Sequence, residues 1–268
     1  MARERRLFVH GAPADPAALA HQALVNYGAY TSFRFEDGGT RGLSLHLARL
    51  QAAADELFGA AIDEAQVRAE VRQALGARDA AFVRISLFSR QIGHRDPTWV
   101  GAPEVMIGIF DPPPPLGDRP LRVRSFVYQR DVPHLKSVAT LGLMRARRAV
   151  RAAGADDALF VDASGRVSEG TLWNIGFVSG DTVVWPEAPM LAGVTQALLT
   201  ARLAGQGLSC ETRQIHLDEV GAFDGAFLCN SATPACPIAE IDAVPFDTRA
   251  ETLAGLRAAW ASNPVETI

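Results

Sequence analysis

Ala155-Asp-Asp-Ala-Leu-Phe-Val-Asp162, Gly165-Arg-Val-Ser-Glu-Gly-Thr171 and Asn174-Ile-Gly-Phe-Val178 follow one another with very short spacers. The apolar run 158–161 ends in a turn at Ala163-Ser-Gly-Arg166. A second turn, Ser179-Gly-Asp181, separates 174–178 from Val183-Val-Trp185. Short apolar runs bounded by Gly, Ser and Asp predict strands joined by tight turns, hence an antiparallel meander. A helix after Gly193, a strand near Leu228 and a C-terminal helix from Thr248 extend this to an α+β pattern.

Upstream, residues 121–128 alternate as a strand. Residues 138–153 carry a helical period, with Val138, Leu141, Ala149 and Val150 inward, Arg145, Arg147, Arg148 and Arg151 outward, and Gly154 at the end. Between 111 and 118 stands Asp-Pro-Pro-Pro-Pro-Leu-Gly-Asp. Four consecutive prolines continue neither a helix nor a central strand and favour an extended spacer. The chain therefore reads as a small N-terminal domain (1–110), a Pro-rich linker (111–118) and a larger domain (119–268). In the first, Leu43, Leu47, Leu50, Ala54 and Leu57 recur at helical spacing, with Ser44 near the start. Asp63 and Gln66 resemble a capping box for a second helix through Val67, Val71 and Leu75, closed by Gly76. Strands are predicted at 81–87 and 105–110.

The 268 residues are 48% hydrophobic and 21% charged, with a net charge of −4, so no basic field invites nucleic acid or an anionic membrane. No apolar stretch reaches the ~20 residues that span a bilayer, and no signal-peptide core is evident. Cys210, Cys229 and Cys236 are odd in number and lack metal-ligand spacing, as expected of buried thiols in a cytoplasmic protein without a metal.

Lys136 lies in His134-Leu-Lys-Ser137, between a strand and a helix. Alone it would be a solvated surface lysine. Its companions change that reading. Leu45-His-Leu-Ala-Arg-Leu50, Lys136, the stretches quoted above, Leu191-Ala-Gly-Val-Thr195 and Cys229-Asn-Ser-Ala-Thr-Pro-Ala-Cys-Pro-Ile238 occur in one order over about 200 residues. In this order they resemble the class IV (fold-type IV) aminotransferases, a family that includes branched-chain and D-amino acid aminotransferases and aminodeoxychorismate lyase.

The resemblance implies a two-domain fold-type IV enzyme using pyridoxal 5′-phosphate (PLP), with its active site between the domains and completed in a homodimer. It makes Lys136 the Schiff-base lysine, whose amine must be neutral to attack an aldehyde and which then serves as the general base. It sets Glu169 against the cofactor's pyridine nitrogen, keeping that nitrogen protonated. Arg49, Val194, Thr195, Ser231 and Ala232 become phosphate-side residues, Thr195 with Gly193 at a helix N-terminus suited to an anion. Asn174 either ties the Glu169 turn or contacts the cofactor. Thr233, within a matched segment, and Tyr30, the aromatic residue before the position where many aminotransferases carry a glutamate, are expected at the substrate.

Arg90 and Arg95 repeat an Arg-x4-Arg spacing of the D-amino acid aminotransferase and lyase branch, where the second arginine binds a substrate carboxylate. Pro97 departs from that branch's pattern two residues further on. Leu141 stands where branched-chain enzymes carry a tyrosine, which speaks against that specificity. Thr31 replaces a glutamate common among aminotransferases and resembles the lyase branch. Leu172 and Trp173 replace small residues. Residues 1–20 lack the family's opening strand with its Asn-Gly turn, so disorder or a different structure is expected there. The leading reading is transfer of an amino group between a small amino acid or amine and a 2-oxo acid. The alternatives are a lyase releasing pyruvate and a non-catalytic binding protein that kept the fold.

Overall fold

The computed structural model describes residues 5–114, 119–248 and 251–268. Part of the predicted linker, 115–118, lies outside the described residues. The chain forms two compact units. The first holds the chain up to Pro113 together with Leu135–Ala139 and Pro264–Ile268; the second holds Pro114–His134 and Thr140–Asn263. A single boundary near the prolines thus misses two short segments that pack with the first unit.

In the first unit, β1 (Arg5–Val9) and β2 (Ala12–Pro13) form a hairpin. Its turn, His10-Gly11, has positive φ at both residues, as tight hairpins require. The segment expected to lack an opening strand therefore has one, with His-Gly in the place of Asn-Gly. Residues 1–4 lie outside the described residues. After α1 (Pro16–Val25) come β3 (Ala29–Phe35) and β4 (Gly39–Arg41), then α2 (Leu43–Phe58), α3 (Glu64–Leu75), β5 (Ala81–Phe88) and β6 (Glu104–Phe110). The antiparallel sheet has the order β2-β1-β6-β5-β3. Strand alternation sends Phe33, Val83 and Ile85 into a core with Leu47, Leu50, Phe58 and Val71 of the helices. The other face carries Tyr30, Ser32, Arg84 and Ser86.

The helix α2 begins at Gly42, whose side chain cannot cap it. Ser44, near that start, acts as a donor rather than a cap. Its N–H and hydroxyl both go to the Glu266 carboxylate, at 2.8 and 3.2 Å. Glu266 belongs to the terminal strand Val265–Thr267, which pairs with β4, and Ile268 is buried in the core beyond it. The tail thus supplies the oxygen that α2 lacks. For α3, Asp63 accepts from Gln66 N–H as expected, while the Gln66 side chain turns to Glu70 and leaves the box half made.

The second unit contains β7 (Leu121–Val127), α4 (Leu141–Ala152), β8 (Asp157–Val161), β9 (Val167–Gly170), β10 (Asn174–Ser179) and β11 (Thr182–Pro186). It continues with α5 (Val194–Thr200), β12 (Ser209–Arg213), β13 (Gly225–Asn230), β14 (Thr233–Ile241), β15 (Val244–Pro245) and α6 (Glu251–Ala261); residues 249–250, next to the helix start expected at Thr248, lie outside the described ones. Six strands close on themselves in the order β10-β13-β14-β7-β8-β9, with β9 returning to β10. Val123, Leu159, Ile175, Phe177, Leu228 and Ile238 fill the interior. The meander expected from 158 to 185 is present, with β8–β9, β9–β10 and β10–β11 antiparallel, but the sheet as a whole is mixed rather than antiparallel. The helix α4 carries the chain back across, so β8 runs parallel to β7, and β14 also pairs with β7 in parallel.

The helix α4 starts three residues later than predicted, because Val138 N–H donates to Gly28 O in an extended segment. Leu141 is 83% exposed rather than inward. Of the cysteines, Cys229 and Cys236 are buried and Cys210 is exposed. Replacing Glu266 by Ala is predicted to cost about 1 kcal/mol through loss of the α2 cap. Urea unfolding would read this as a lower midpoint, and a midpoint equal to wild type would remove the tail's capping role.

Candidate active site

Lys136 is placed by backbone, not by chance packing. Tyr30 N–H donates to Lys136 O at 2.8 Å and Val138 N–H to Gly28 O at 3.0 Å, so residues 136–138 line the outer edge of β3. This works only with glycine at 28. Its φ is +148°, and a Cβ there would stand 2.1 Å from Leu87 O. The Lys136 Nζ lies 5.0 Å from the centroid of the Tyr30 ring.

Around it the first unit assembles other polar groups. On the core face of β3, Thr31 is fully buried. Its Oγ1 receives an N–H from Arg49 Nη2 at 2.6 Å and lies 2.6 Å from His46 Nδ1. Arg49 Nη2 also approaches His46 Nδ1 at 3.4 Å. Arginine only donates, so Nδ1 is the acceptor and the ring proton belongs on Nε2. Burial drives the His46 pKa well below its ordinary value, and the Arg49 and Lys136 charges push it the same way. The imidazole is therefore neutral near pH 7.

On the opposite face of the sheet, the Arg84 guanidinium carbon lies 3.6 Å from the Tyr30 ring centroid. Arg84 Nε donates to Ser86 Oγ at 3.1 Å, and burial lowers its pKa. Arg90, by contrast, is already engaged. It donates to Glu104 at 2.5 and 3.0 Å and to Asp15 at 3.2 Å on the exposed side of the unit. Arg95 sits at the exposed tip of a turn closed by the Gly93–Asp96 bridge.

In the second unit, Glu169 is 5% exposed at the end of β9, with Arg130 Nη1 3.6 Å from its Oε1. Asn174 is its pairing partner on β10. The Asn174 amide donates to Leu191 O at 2.8 Å, while its Oδ1 would meet a Cβ at Gly193 at 1.9 Å, which fixes glycine there. Asn174 thereby ties the 191–193 segment to the Glu169 hairpin. That segment leads into α5, where Gly193 caps without a side chain, followed by Val194 and Thr195. Thr195 is 2% exposed, and its Oγ1 is buried without a hydrogen-bond partner. A buried orphan hydroxyl beside open first-turn N–H groups fits an anionic oxygen cluster such as a phosphate. Ser231 and Ala232 form the β13–β14 turn. Asn230 Oδ1 accepts the N–H groups of Ala232 and Thr233 at 2.9 and 3.0 Å, so those two amides are engaged within the turn.

Sequence reasoning missed His46, Arg84 and Arg130. Arg84 had a signal: a charged residue on one face of a strand whose alternate positions, Val83 and Ile85, are apolar. Arg130 had none, because its meaning comes from the distant Glu169.

Comparison with known proteins bears on the family and the fold. The sequence profile of the family described as "Amino-transferase class IV" matches residues 28–241. A Methanocaldococcus jannaschii protein provisionally named a branched-chain-amino-acid aminotransferase is 27% identical over 251 residues, covering 88% of this chain and 85% of that protein. Among solved structures, the fold IV-transaminase CpuTA1 from Curtobacterium pusillum superposes with a TM-score of 0.74 at 24% identity, covering 96% and 97% of the two chains. A hypothetical aminotransferase from Mycobacterium tuberculosis, in its PLP-bound form, gives a TM-score of 0.78 at 20% identity, covering 97% and 99%.

The state of His46 has a measurable consequence. Its folded pKa lies below its unfolded value, so the unfolded chain binds the extra proton first. Stability from this group is complete above about pH 6.5 and is lost as pH falls from there toward the folded pKa. Urea unfolding between pH 7.5 and 5 should show a steeper acid loss for wild type than for His46→Gln. Parallel profiles would mean that His46 is not held neutral.

Proposed function

Because the chain belongs to the class IV aminotransferases, we propose that it moves an amino group between a small amino acid or amine and a 2-oxo acid, using pyridoxal 5′-phosphate held at Lys136. The observation that carries this reading is the placement of the Lys136 amine. Two backbone hydrogen bonds fix its segment, with Tyr30, Arg49 and His46 around it. When bound, the cofactor supplies an aldehyde carbon for covalent attachment and a protonated ring that withdraws electrons from the reacting carbon.

Lys136 Nζ would hold the cofactor and would be the base positioned to move a proton at the substrate α-carbon. Glu169, braced by Arg130, is the carboxylate that would accept the ring N–H. Thr195 Oγ1 and the first turn of α5 would bind the phosphate. Ser231 and Val194 stand as further phosphate-side residues, and Thr233 as a substrate contact.

Arg84 is a better carboxylate receptor than Arg90 or Arg95. It is partly buried, shaped for bidentate binding, stacked on Tyr30 and has no carboxylate partner among the described residues. That favours a 2-oxo acid as acceptor. Leu141 leaves no phenol at the start of α4, so the branched-chain name of the archaeal relative does not carry over as a substrate. A homodimer is also proposed, with the exposed Leu141 and Met144 of α4 as apolar side chains for a second copy to cover.

A lyase of the same family remains the second reading, favoured by Thr31 in place of a carboxylate beside His46 and Arg49. The binding-protein reading has lost its support, since the N-terminus forms β1 and β2 and Trp173 is built into the second unit.

Purified enzyme with PLP should convert 2-oxo acids to amino acids only when an amino donor is supplied. Lys136→Ala should abolish turnover, and Arg84→Ala should raise KM for the acceptor about tenfold or more. Release of pyruvate without an acceptor would select the lyase. Full activity in Lys136→Ala would end both.

A further inference from the structure

We infer that Asp157 is a positioning residue: a buried carboxylate whose task is to hold the loop 170–173, and through it Glu169 and Asn174, in place. This rests on the cofactor reading of Glu169 given above. Asp157 opens β8, on the same face as Leu159 and Val161, which fill the barrel interior. The strand's period asks for another apolar side chain there. Instead the position holds a carboxylate that is 1% exposed. Burying an ion costs several kcal/mol unless its oxygens are fully engaged, and here they are.

Asp157 Oδ1 accepts from its neighbour Ala158 N–H at 2.8 Å and from Thr171 Oγ1 at 2.5 Å. Oδ2 accepts from the indole N–H of Trp173 at 2.8 Å, with Arg147 Nη2 of α4 3.5 Å away. Two of these donors belong to one four-residue loop. Glu169 and Asn174 pair across its base, and Gly170 N–H donates to Trp173 O at 2.9 Å to close it. The third residue is held from the other side, where Asn230 Nδ2 donates to Leu172 O at 3.2 Å. Asn230 is the same side chain that organises the 231–233 turn.

The loop is therefore clamped at Thr171 and Trp173 by Asp157 and at Leu172 by Asn230. Its two ends are the residues assigned to the cofactor ring and to the segment before α5. This gives Trp173 a purpose that its size alone does not. It replaces a small residue and brings an N–H that a buried carboxylate needs. Arg147 compensates the charge and links α4 to the same point. A hydrogen-bonded network of this kind fixes geometry because each member has only one arrangement in which all donors are satisfied.

The test compares Asp157→Asn, Thr171→Val and Thr171→Ser with wild type. In the cofactor-free protein, amide exchange at Gly170 reads the loop itself. In the loaded protein, the PLP dissociation constant and the pH midpoint of the bound cofactor's visible band read the placement of Glu169. Asp157→Asn and Thr171→Val should speed exchange at Gly170 and weaken PLP binding, each about tenfold, and shift the band's midpoint; Thr171→Ser, which keeps the hydroxyl, should stay within about twofold of wild type. If Asp157→Asn does not fold, the Val and Ser pair decides alone. Wild-type exchange in the folded Val variant, or faster exchange with an unchanged dissociation constant and midpoint, overturns the inference. Failure of wild type to take up PLP would instead sink the cofactor reading, and with it the function given to the loop, while the exchange rates still report on the clamp.

Discussion

Two backbone hydrogen bonds, Tyr30 N–H to Lys136 O and Val138 N–H to Gly28 O, decide where the proposed catalytic amine stands. A lysine on a free loop between β7 and α4 would sample many rotamers in water. Here its segment is added to the edge of a sheet whose inner strands are locked by a close-packed core. The cost is a glycine at 28, where no side chain fits against Leu87 O. The gain is a fixed position for Nζ relative to Tyr30 and the polar groups near it. Precision of this kind is what positioned acid–base chemistry requires.

Each unit has its own electrostatic character. In the first, Arg49 and Lys136 act on a histidine that stays neutral, while Arg84 lies on the other face of the sheet against Tyr30. In the second, buried carboxylates are each given an arginine, Arg130 for Glu169 and Arg147 for Asp157. Charges buried in this way are retained for geometry or chemistry, since stability alone would be served as well by apolar side chains.

Much of this was legible in the sequence because it is local. The helical period of Leu43, Leu47 and Leu50, the stop at Gly76, the alternation of 81–87 and the turns at 163–166 and 179–181 all depend on near neighbours. The motifs that pointed to the family are likewise short, and only their order spans the chain. What escaped depends on distant partners. The cap of α2 is Glu266, more than two hundred residues away, and the start of α4 was displaced because Val138 is drawn to Gly28. Arg90, a substrate-side candidate by its spacing from Arg95, is occupied by Glu104 and Asp15, while Arg84 gains meaning only from its register with Tyr30. The antiparallel run from 158 to 185 was legible from its tight turns, while the parallel pairings of β7 with β8 and β14 join strands that no tight turn connects.

The most direct test of the central claim is borohydride reduction of the PLP-loaded protein, followed by mass spectrometry of its peptides. The account predicts one pyridoxyl adduct, on Lys136. No adduct, or adducts scattered over other lysines, would contradict it.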